Sequence, residues 1–368
     1  MKILWFTWKD RTHPLAGGAE LLNEELAQRL VRAGYELTLV VGGYKGSIRE
    51  EKINGYKLVR LGNRFTLYFQ AWRYYRTHLR GWADLVIDEI NTIPFLAKFY
   101  VRELNVLFVH QLCRDIWFYQ MPFPLSLLGY LLEPQYLRLL SDRHVLTISP
   151  SSREDLLRYG YQRDRVHILS EGLSIAPIDN LSQVHKYDQP TILALGALRA
   201  MKRTIDIIRA FELAKPRLPA LRLIVAGESD SAYGRKVNKY IKQSNHRMDI
   251  EVLGHVDDAH KAELMQRCHI ICVTSVKEGW GLIVSEAASQ GTPAVVYDVD
   301  GLRDSVYGGE SGVLTPANTP AAMANVIVNL LNDRDRYRRY QQIGWERSQR
   351  ITFDAGTKQM IEIMRQIK

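Results

Sequence analysis

Thr274-Ser275-Val276-Lys277-Glu278-Gly279-Trp280-Gly281-Leu282-Ile283-Val284-Ser285-Glu286 contains a change of period. The apolar run at 270–274 just before it has the length and branching of a buried strand, and residues 282–290 carry a helical pattern. The glycines between them permit a tight turn. Two carboxylates, Glu278 and Glu286, stand eight positions apart. On one helix they would lie about 80° apart, but Glu278 precedes the helix and can be aimed separately. Carboxylates accept hydrogen bonds from vicinal hydroxyls, so this pair suits a ribose and a second sugar.

The same alternation extends in both directions. Downstream of residue 190, strands are expected at 191–195, 221–226, 250–253, 270–274 and 294–297, with helices at 204–214, 261–266 and 282–290. Upstream, strands are expected at 3–7, 36–41, 85–87, 106–109 and 145–148, with a helix at 19–33. Ser149-Pro150-Ser151-Ser152 can cap a further helix near Arg153. Strands alternating with helices imply parallel sheets covered by helices. Residues 176–190, with Pro177, Asp179, Asn180, Ser182 and Pro190, sustain no period and are expected to link two domains, 1–176 and 190–352. Three helical patterns follow at 319–331, 334–347 and 355–367, the last two separated by Thr352-Phe353-Asp354.

A length of 368 residues with 46 % hydrophobic and 24 % charged residues fits two globular domains and excludes a disordered or collagen-like chain. The net charge of +9 favours phosphates, acidic lipids or nucleic acid, and no nucleic-acid recognition motif accompanies it. Cys113, Cys268 and Cys272 cannot all pair, and the last two lack the second ligand cluster of a zinc site, which points to a reduced, cytoplasmic chain. The apolar start reaches Lys9, Asp10 and Arg11 too early for a signal-peptide core. The uncharged run 116–132 is interrupted by Gln120, Pro122 and Pro124, which argues against a membrane-spanning helix.

Ligands of doubly wound sheets lie beyond the carboxyl ends of the strands. Gly17 and Gly18 follow the first strand and open a helix, where backbone can approach a phosphate. No G-x-G-x-x-G spacing occurs there or after 191–195, which argues against an NAD(P) oxidoreductase. Arg199, Lys202 and Arg203 crowd the next such turn; arginine grips a diphosphate bidentately and lysine adds a point charge. His110 directly follows the strand at 106–109. Asp298-Val299-Asp300 spells the D-x-D that some transferases use for manganese, but its place after a later strand argues against a metal site there.

Together the Glu278-to-Glu286 stretch, the Gly17-Gly18-Ala19-Glu20 loop and Lys202 resemble glycosyltransferase family 4 (group 1), retaining nucleotide-sugar enzymes. The resemblance covers nearly the whole chain and implies an α/β GT-B architecture, two Rossmann-like doubly wound domains facing a central cleft, with a last helix at 353–368 returning to the first. It implies that Glu278 touches the transferred sugar, that Gly279, Gly281, Leu282 and Ile283 present backbone to sugar and phosphate, and that Glu286 binds the ribose. Lys202 would hold the diphosphate, Gly17 and Gly18 would close on it, and His110 would sit beside the anomeric carbon. Such enzymes need no metal or other cofactor. The family's arginine is replaced by Ala197, so Arg199, or Lys202 with Arg203, is expected to take over its contact. Two other readings are a nucleotide-sugar 2-epimerase and a non-catalytic glycan-binding relative.

Residues 64–83 interleave Phe65, Tyr68, Phe69, Trp72, Tyr74, Tyr75 and Trp82 with Arg73, Arg76 and Arg80 and contain no acid before Asp84. Aromatic and basic residues together suit an anionic membrane interface, and 116–132 suits an apolar, lipid-linked acceptor. A peripheral enzyme on the cytoplasmic membrane face is the expectation.

Overall fold

The computed structural model describes residues 1–367, which form two compact units: Met1–Gly172 with the chain from Thr352 onward, and Leu173–Ile351. In the first unit, β1 (Lys2–Phe6), α1 (Gly18–Arg32), β2 (Glu36–Gly42), β3 (Glu50–Ile53), β4 (Tyr56–Leu61) and α2 (Leu67–Tyr74) come first. They are followed by β5 (Leu85–Glu89), β6 (Leu104–Val109), α3 (Trp117–Gln120), α4 (Leu125–Leu139), β7 (Val145–Thr147), α5 (Pro150–Leu157) and β8 (Val166–Ile168). The eight strands lie in the order β3-β4-β2-β1-β5-β6-β7-β8, all parallel except the β3–β4 hairpin. Strands buried on both faces read as continuous apolar runs, as Ile3-Leu4-Trp5-Phe6 does.

The second unit contains β9 (Thr191–Leu195), α6 (Thr204–Ala214), β10 (Arg222–Ala226), α7 (Ala232–Gln243), β11 (Ile250–Gly254), α8 (Asp258–Arg267) and β12 (Ile270–Val273). Next come α9 (Leu282–Ser289), β13 (Ala294–Val296), α10 (Leu302–Ser305), β14 (Val313–Leu314), α11 (Pro320–Asn332) and α12 (Arg334–Ser348). Its sheet is wholly parallel, in the order β11-β10-β9-β12-β13-β14. One core packs α6 and α11 against it through Ile208, Phe211, Met323 and Ile327; a second lies beneath α8 and α9 around Leu264, Met265 and Val284. Thr319 caps α11 by accepting the Ala322 N–H at 3.3 Å, with Pro320 at the first helical position.

The irregular stretch at 176–190 packs on the second unit rather than bridging two domains. Trp345 Nε1 donates to Ile178 O at 2.8 Å, and Lys186 Nζ donates to the carbonyls of Cys268 and Gly291, each at 2.9 Å. Burial pulls Lys186 down to about 7. The β3–β4 hairpin and α7 are absent from the sequence expectation. β3 is a charged edge strand, Glu-Glu-Lys-Ile, and α7 buries only Gly234, Val237 and Ile241.

α13 (Phe353–Gln366) packs on α1 within the first unit. The Phe353 ring lies where any Cβ on Gly172 would strike it at 2.2 Å, Arg29 stacks over that ring and pairs with Asp354 at 2.6 Å, and Gln359 accepts from Ser170 N. Phe353→Ala removes the central contact and is expected to lower the stability of this unit by about 3 kcal/mol. The shift of its urea transition, followed by the fluorescence of buried Trp5, measures that loss.

Candidate functional site

In the second unit the strand order reverses between β9 and β12, and the crevice of a parallel sheet opens beyond such a pair. The ends of these two strands carry Gly196 on one side and Thr274-Ser275 on the other. A cavity of about 30 Å³ lies there, lined among others by Gly196, Leu198, Lys202, Thr274, Ser275 and Ile283. Backbone bonds tie the two turns together: Thr274 Oγ1 donates to Lys202 O (2.9 Å) and Arg203 O (3.0 Å), and Val276 N donates to Met201 O (2.9 Å).

On that frame Lys202 Nζ meets Glu278 Oε1 at 2.5 Å, and Ser275 Oγ donates to the same oxygen at 2.5 Å. Lys202 keeps a third of its side chain exposed and Glu278 a seventh, so a ligand can reach the pair. Glu278 is fixed from behind, since its N–H donates to Asp300 O at 3.1 Å. Gly279 and Gly281 follow; Gly281 starts α9, and Leu282 and Ile283 form its first turn, where backbone N–H groups remain unpaired within the helix. The arrangement sets a cation, a carboxylate and a helix N-terminus together, a combination that holds a hydroxyl-bearing anion.

Glu286 belongs to a separate group. Its Oε1 accepts from Ser174 Oγ at 2.6 Å and from Lys261 Nζ at 3.0 Å, and it is 5 % exposed. Lys261, on α8, carries no motif in the sequence and becomes visible only through this contact. Arg199 is exposed, and among the described residues its guanidinium has no polar partner. Arg203 pairs with Asp206 at 2.9 Å and lies over the Tyr297 ring at 5.3 Å. Asp298 and Asp300 both pair with Arg303, and Asp300 also pairs with Lys277.

In the first unit the order reverses between β1 and β5. Gly17 and Gly18 open α1, yet the Gly17 N–H is already taken by Glu20 Oε2 at 2.7 Å, and Lys9 holds the other Glu20 oxygen at 3.2 Å. Of the pair, Gly18 heads the helix and Gly17 is committed to closing its own loop. His110 follows β6 and is 7 % exposed, with Glu89 Oε1 at 3.4 Å from its Nε2. Burial alone would lower the imidazole, but Glu89 outweighs it, helped by Glu171 and Glu20, and the net direction is upward. Glu89 lies outside the expected strand at 85–87; extending that strand by two residues brings its carboxylate to the sheet's carboxyl end.

Much of the aromatic stretch 64–83 is core. Tyr74 and Tyr75 are buried against the sheet, whereas Phe65 and Phe69 are exposed with Arg64, Arg73, Arg76 and Arg80. The apolar surface is continued by Phe118, Phe123, Leu125, Leu128, Leu131 and Leu132, of which Phe123 is 78 % exposed. Glu133, the acid of α4, is turned inward and accepts the N–H groups of Cys113 and Arg114, each at 2.6 Å. Among the described residues no helix is long and apolar enough to cross a membrane.

Residues 16–176 match the family described as Glycosyltransferase Family 4, and residues 178–347 match Glycosyl transferases group 1. The chain is 28 % identical over 230 residues to a D-inositol 3-phosphate glycosyltransferase of Xylanimonas cellulosilytica, covering 58 % of this chain and 54 % of that protein. The chain thus spans about half the length of that curated relative. Among solved structures, sucrose-phosphate synthase from Thermosynechococcus elongatus superposes with a TM-score of 0.80 at 20 % identity, over 100 % of this chain and 98 % of that one. Anabaena HepE in complex with UDP and glucose superposes with a TM-score of 0.72 at 15 % identity, over the full length of both chains. These likenesses show the two-domain α/β fold of GT-B enzymes.

Gly301 tests how the Glu278 turn is held. Its φ is +78°, and a Cβ there would lie 2.2 Å from Glu278 O, whereas Gly308, at φ +67°, has nothing within 4 Å. Gly301→Ala adds overpacking to the left-handed strain and is expected to lower the stability of the second unit by about 2–5 kcal/mol in all. Gly308→Ala should cost only about 1–2 kcal/mol of left-handed strain. Urea transitions of the two variants, combined with nucleotide titration, should show ligand affinity lost in Gly301→Ala alone.

Proposed function

We propose, for a chain that belongs to the group 1 glycosyltransferases, that it transfers a sugar with retention from a nucleotide-diphosphate donor to a glycan or lipid-linked acceptor. The observation that carries this reading is the 2.5 Å contact of Lys202 with Glu278 at the β9/β12 switch point. In the proposed reaction the bond from the anomeric carbon to the diphosphate oxygen breaks, and a bond from that carbon to an acceptor oxygen forms on the same face. The acceptor's proton passes to the departing phosphate, so no enzyme nucleophile is assigned. Negative charge grows on the leaving group and oxocarbenium character on the sugar; Lys202, Arg199 and the N-terminus of α9 would stabilise the first. Glu278 would orient the sugar hydroxyls, Glu286 with Lys261 beside it would bind the ribose, and His110 would stand beside the anomeric carbon.

The diphosphate's charge is met by protein cations in this scheme, so we propose a reaction independent of metal. Neither the epimerase nor the glycan-binding reading gains support from the matched families. A peripheral lipid contact is part of the proposal: the apolar face of α4 and its approach lacks exposed acid from Ile116 to Leu132 and has Arg64 against Met121 at 3.1 Å. Apolar side chains ringed by arginine suit anionic lipid.

Calorimetric titration with UDP, GDP and ADP, with and without manganese, tests the donor site. One nucleotide should bind at micromolar concentration irrespective of metal, and Lys202→Ala should weaken it by about tenfold to a hundredfold, the usual worth of a charged hydrogen bond. No binding of any of the three would overturn the reading. For the lipid contact, the purified protein should float with anionic vesicles at low salt, and Leu131→Asp should sink; a wild-type protein that stays at the bottom would remove that part of the proposal.

A further inference from the structure

The β1/β5 switch point holds a polar cluster that the donor chemistry above does not use. Glu89, the last residue of β5, is 1 % exposed. Its Oε2 accepts from Trp5 Nε1 at 2.9 Å and from Asn23 Nδ2 at 2.8 Å, and its Oε1 accepts from Asn91 Nδ2 at 2.9 Å. Three neutral donors, from β1, from α1 and from the turn after β5, thus converge on one carboxylate. Among the described residues no lysine or arginine pairs with it, and the one cationic partner within reach is His110, whose Nε2 lies 3.4 Å from Oε1.

The geometry decides where hydrogen sits on that ring. Nε2 is buried and makes no close hydrogen bond; the acid that faces it is Glu89, whose Oε1 stands at 3.4 Å, an ion-pair distance. A bare lone pair facing a carboxylate oxygen would be repelled, so Nε2 carries a hydrogen. The ring is held on its other sides as well: Phe108 lies at 4.4 Å between centroids, and Ser152 Oγ, at the start of α5, donates to His110 O at 2.9 Å. The charged groups that bear on the imidazole are Glu89 from β5, Glu20 from α1 and Glu171 after β8, all acids, with Lys9 engaged by Glu20. Nδ1 is the ring nitrogen turned away from Glu89.

We propose that Glu89 is the positioning residue of His110: its carboxylate faces the Nε2 hydrogen, fixes the plane of the imidazole and holds the ring as a doubly protonated cation, so that Nδ1 also carries a hydrogen and donates toward the substrate. This rests on the reading that His110 stands beside the reacting sugar. As a donor, His110 binds a hydroxyl oxygen of the transferred sugar and takes no proton from the acceptor, in keeping with a reaction in which the departing phosphate does so. Trp5, Asn23 and Asn91 act one step further back, by holding the carboxylate.

The test is a ring-nitrogen NMR titration of the full-length, histidine-labelled protein, with His110 assigned by the loss of its signal in His110→Asn. In wild type, His110 should remain doubly protonated above the ordinary histidine range. In Glu89→Gln the side chain keeps its size but the charge is gone, so the ring should lose tenfold or more of its proton affinity. The rate of sugar transfer should then fall off at lower pH in that variant, with nucleotide affinity unchanged. Asn91→Ser, which frees Oε1 from a competing donor, should move the midpoint the opposite way. An unprotonated Nε2 in wild type, equal midpoints in wild type and Glu89→Gln, or an Asn91→Ser midpoint unmoved or lowered would each overturn the proposal; if Glu89→Gln fails to fold, wild type and Asn91→Ser decide alone. Nucleotide titration of the same wild-type sample separates the two readings: absence of binding would sink the donor site while the NMR result still judges Glu89.

Discussion

A parallel strand can release its chain into open space only at its ends, and in each sheet there is one place where the strand order reverses and helices diverge to opposite faces. This constraint of doubly wound topology underlies the chemistry described above. In the second unit the place is β9/β12, where Lys202 and Glu278 meet; in the first it is β1/β5, where Glu89 gathers its donors and His110 stands one strand away. The remaining architecture serves these two points. The turn after β12 is braced by Thr274 and Val276 against the turn after β9, and Gly301 passes so close to Glu278 that no larger residue fits.

Charge in both units is held in opposed pairs: Lys202 with Glu278, Lys261 with Glu286, Lys9 with Glu20, and His110 with Glu89. Partly buried ion pairs add little net stability, because the loss of hydration offsets the attraction. What they supply is orientation. Lys202 is thereby a cation already directed, beside a carboxylate largely withdrawn from water. Arg199 is an exposed cation without a polar partner among the described residues.

The outer face of α4 obeys a different physics. A soluble monomer rarely exposes a contiguous large apolar patch without using it. Here Glu133 is turned inward to hold the chain after His110, and Leu125, Leu127, Leu128, Leu131, Leu132 and Leu139 of the same helix are turned out. The stretch at 64–83 illustrates how composition misleads about such a surface: its aromatic residues read alike in sequence, yet Tyr74 and Tyr75 belong to the core and only Phe65 and Phe69 stand in the open. Composition reports that a segment is apolar, and the sheet decides which side of it is covered.

Read without coordinates, the chain already shows its alternation of strand and helix, the glycine turns that follow β1, β9 and β12, and the carboxylates and cations placed in those turns. These are local properties: backbone period and turn chemistry depend on neighbours a few residues away. Edge elements such as β3 and the polar helix α7 escape that reading because neither buries enough of one face to impose a period. Which charges meet is not local. Lys202 and Glu278 are 76 positions apart, and Trp5 and Asn23 stand 84 and 66 positions from Glu89. Only the register of parallel strands, each joined to the next through a helix, brings such residues together, and so the tertiary structure alone showed Arg203 to lie over Tyr297 and Glu89 to lie beside His110.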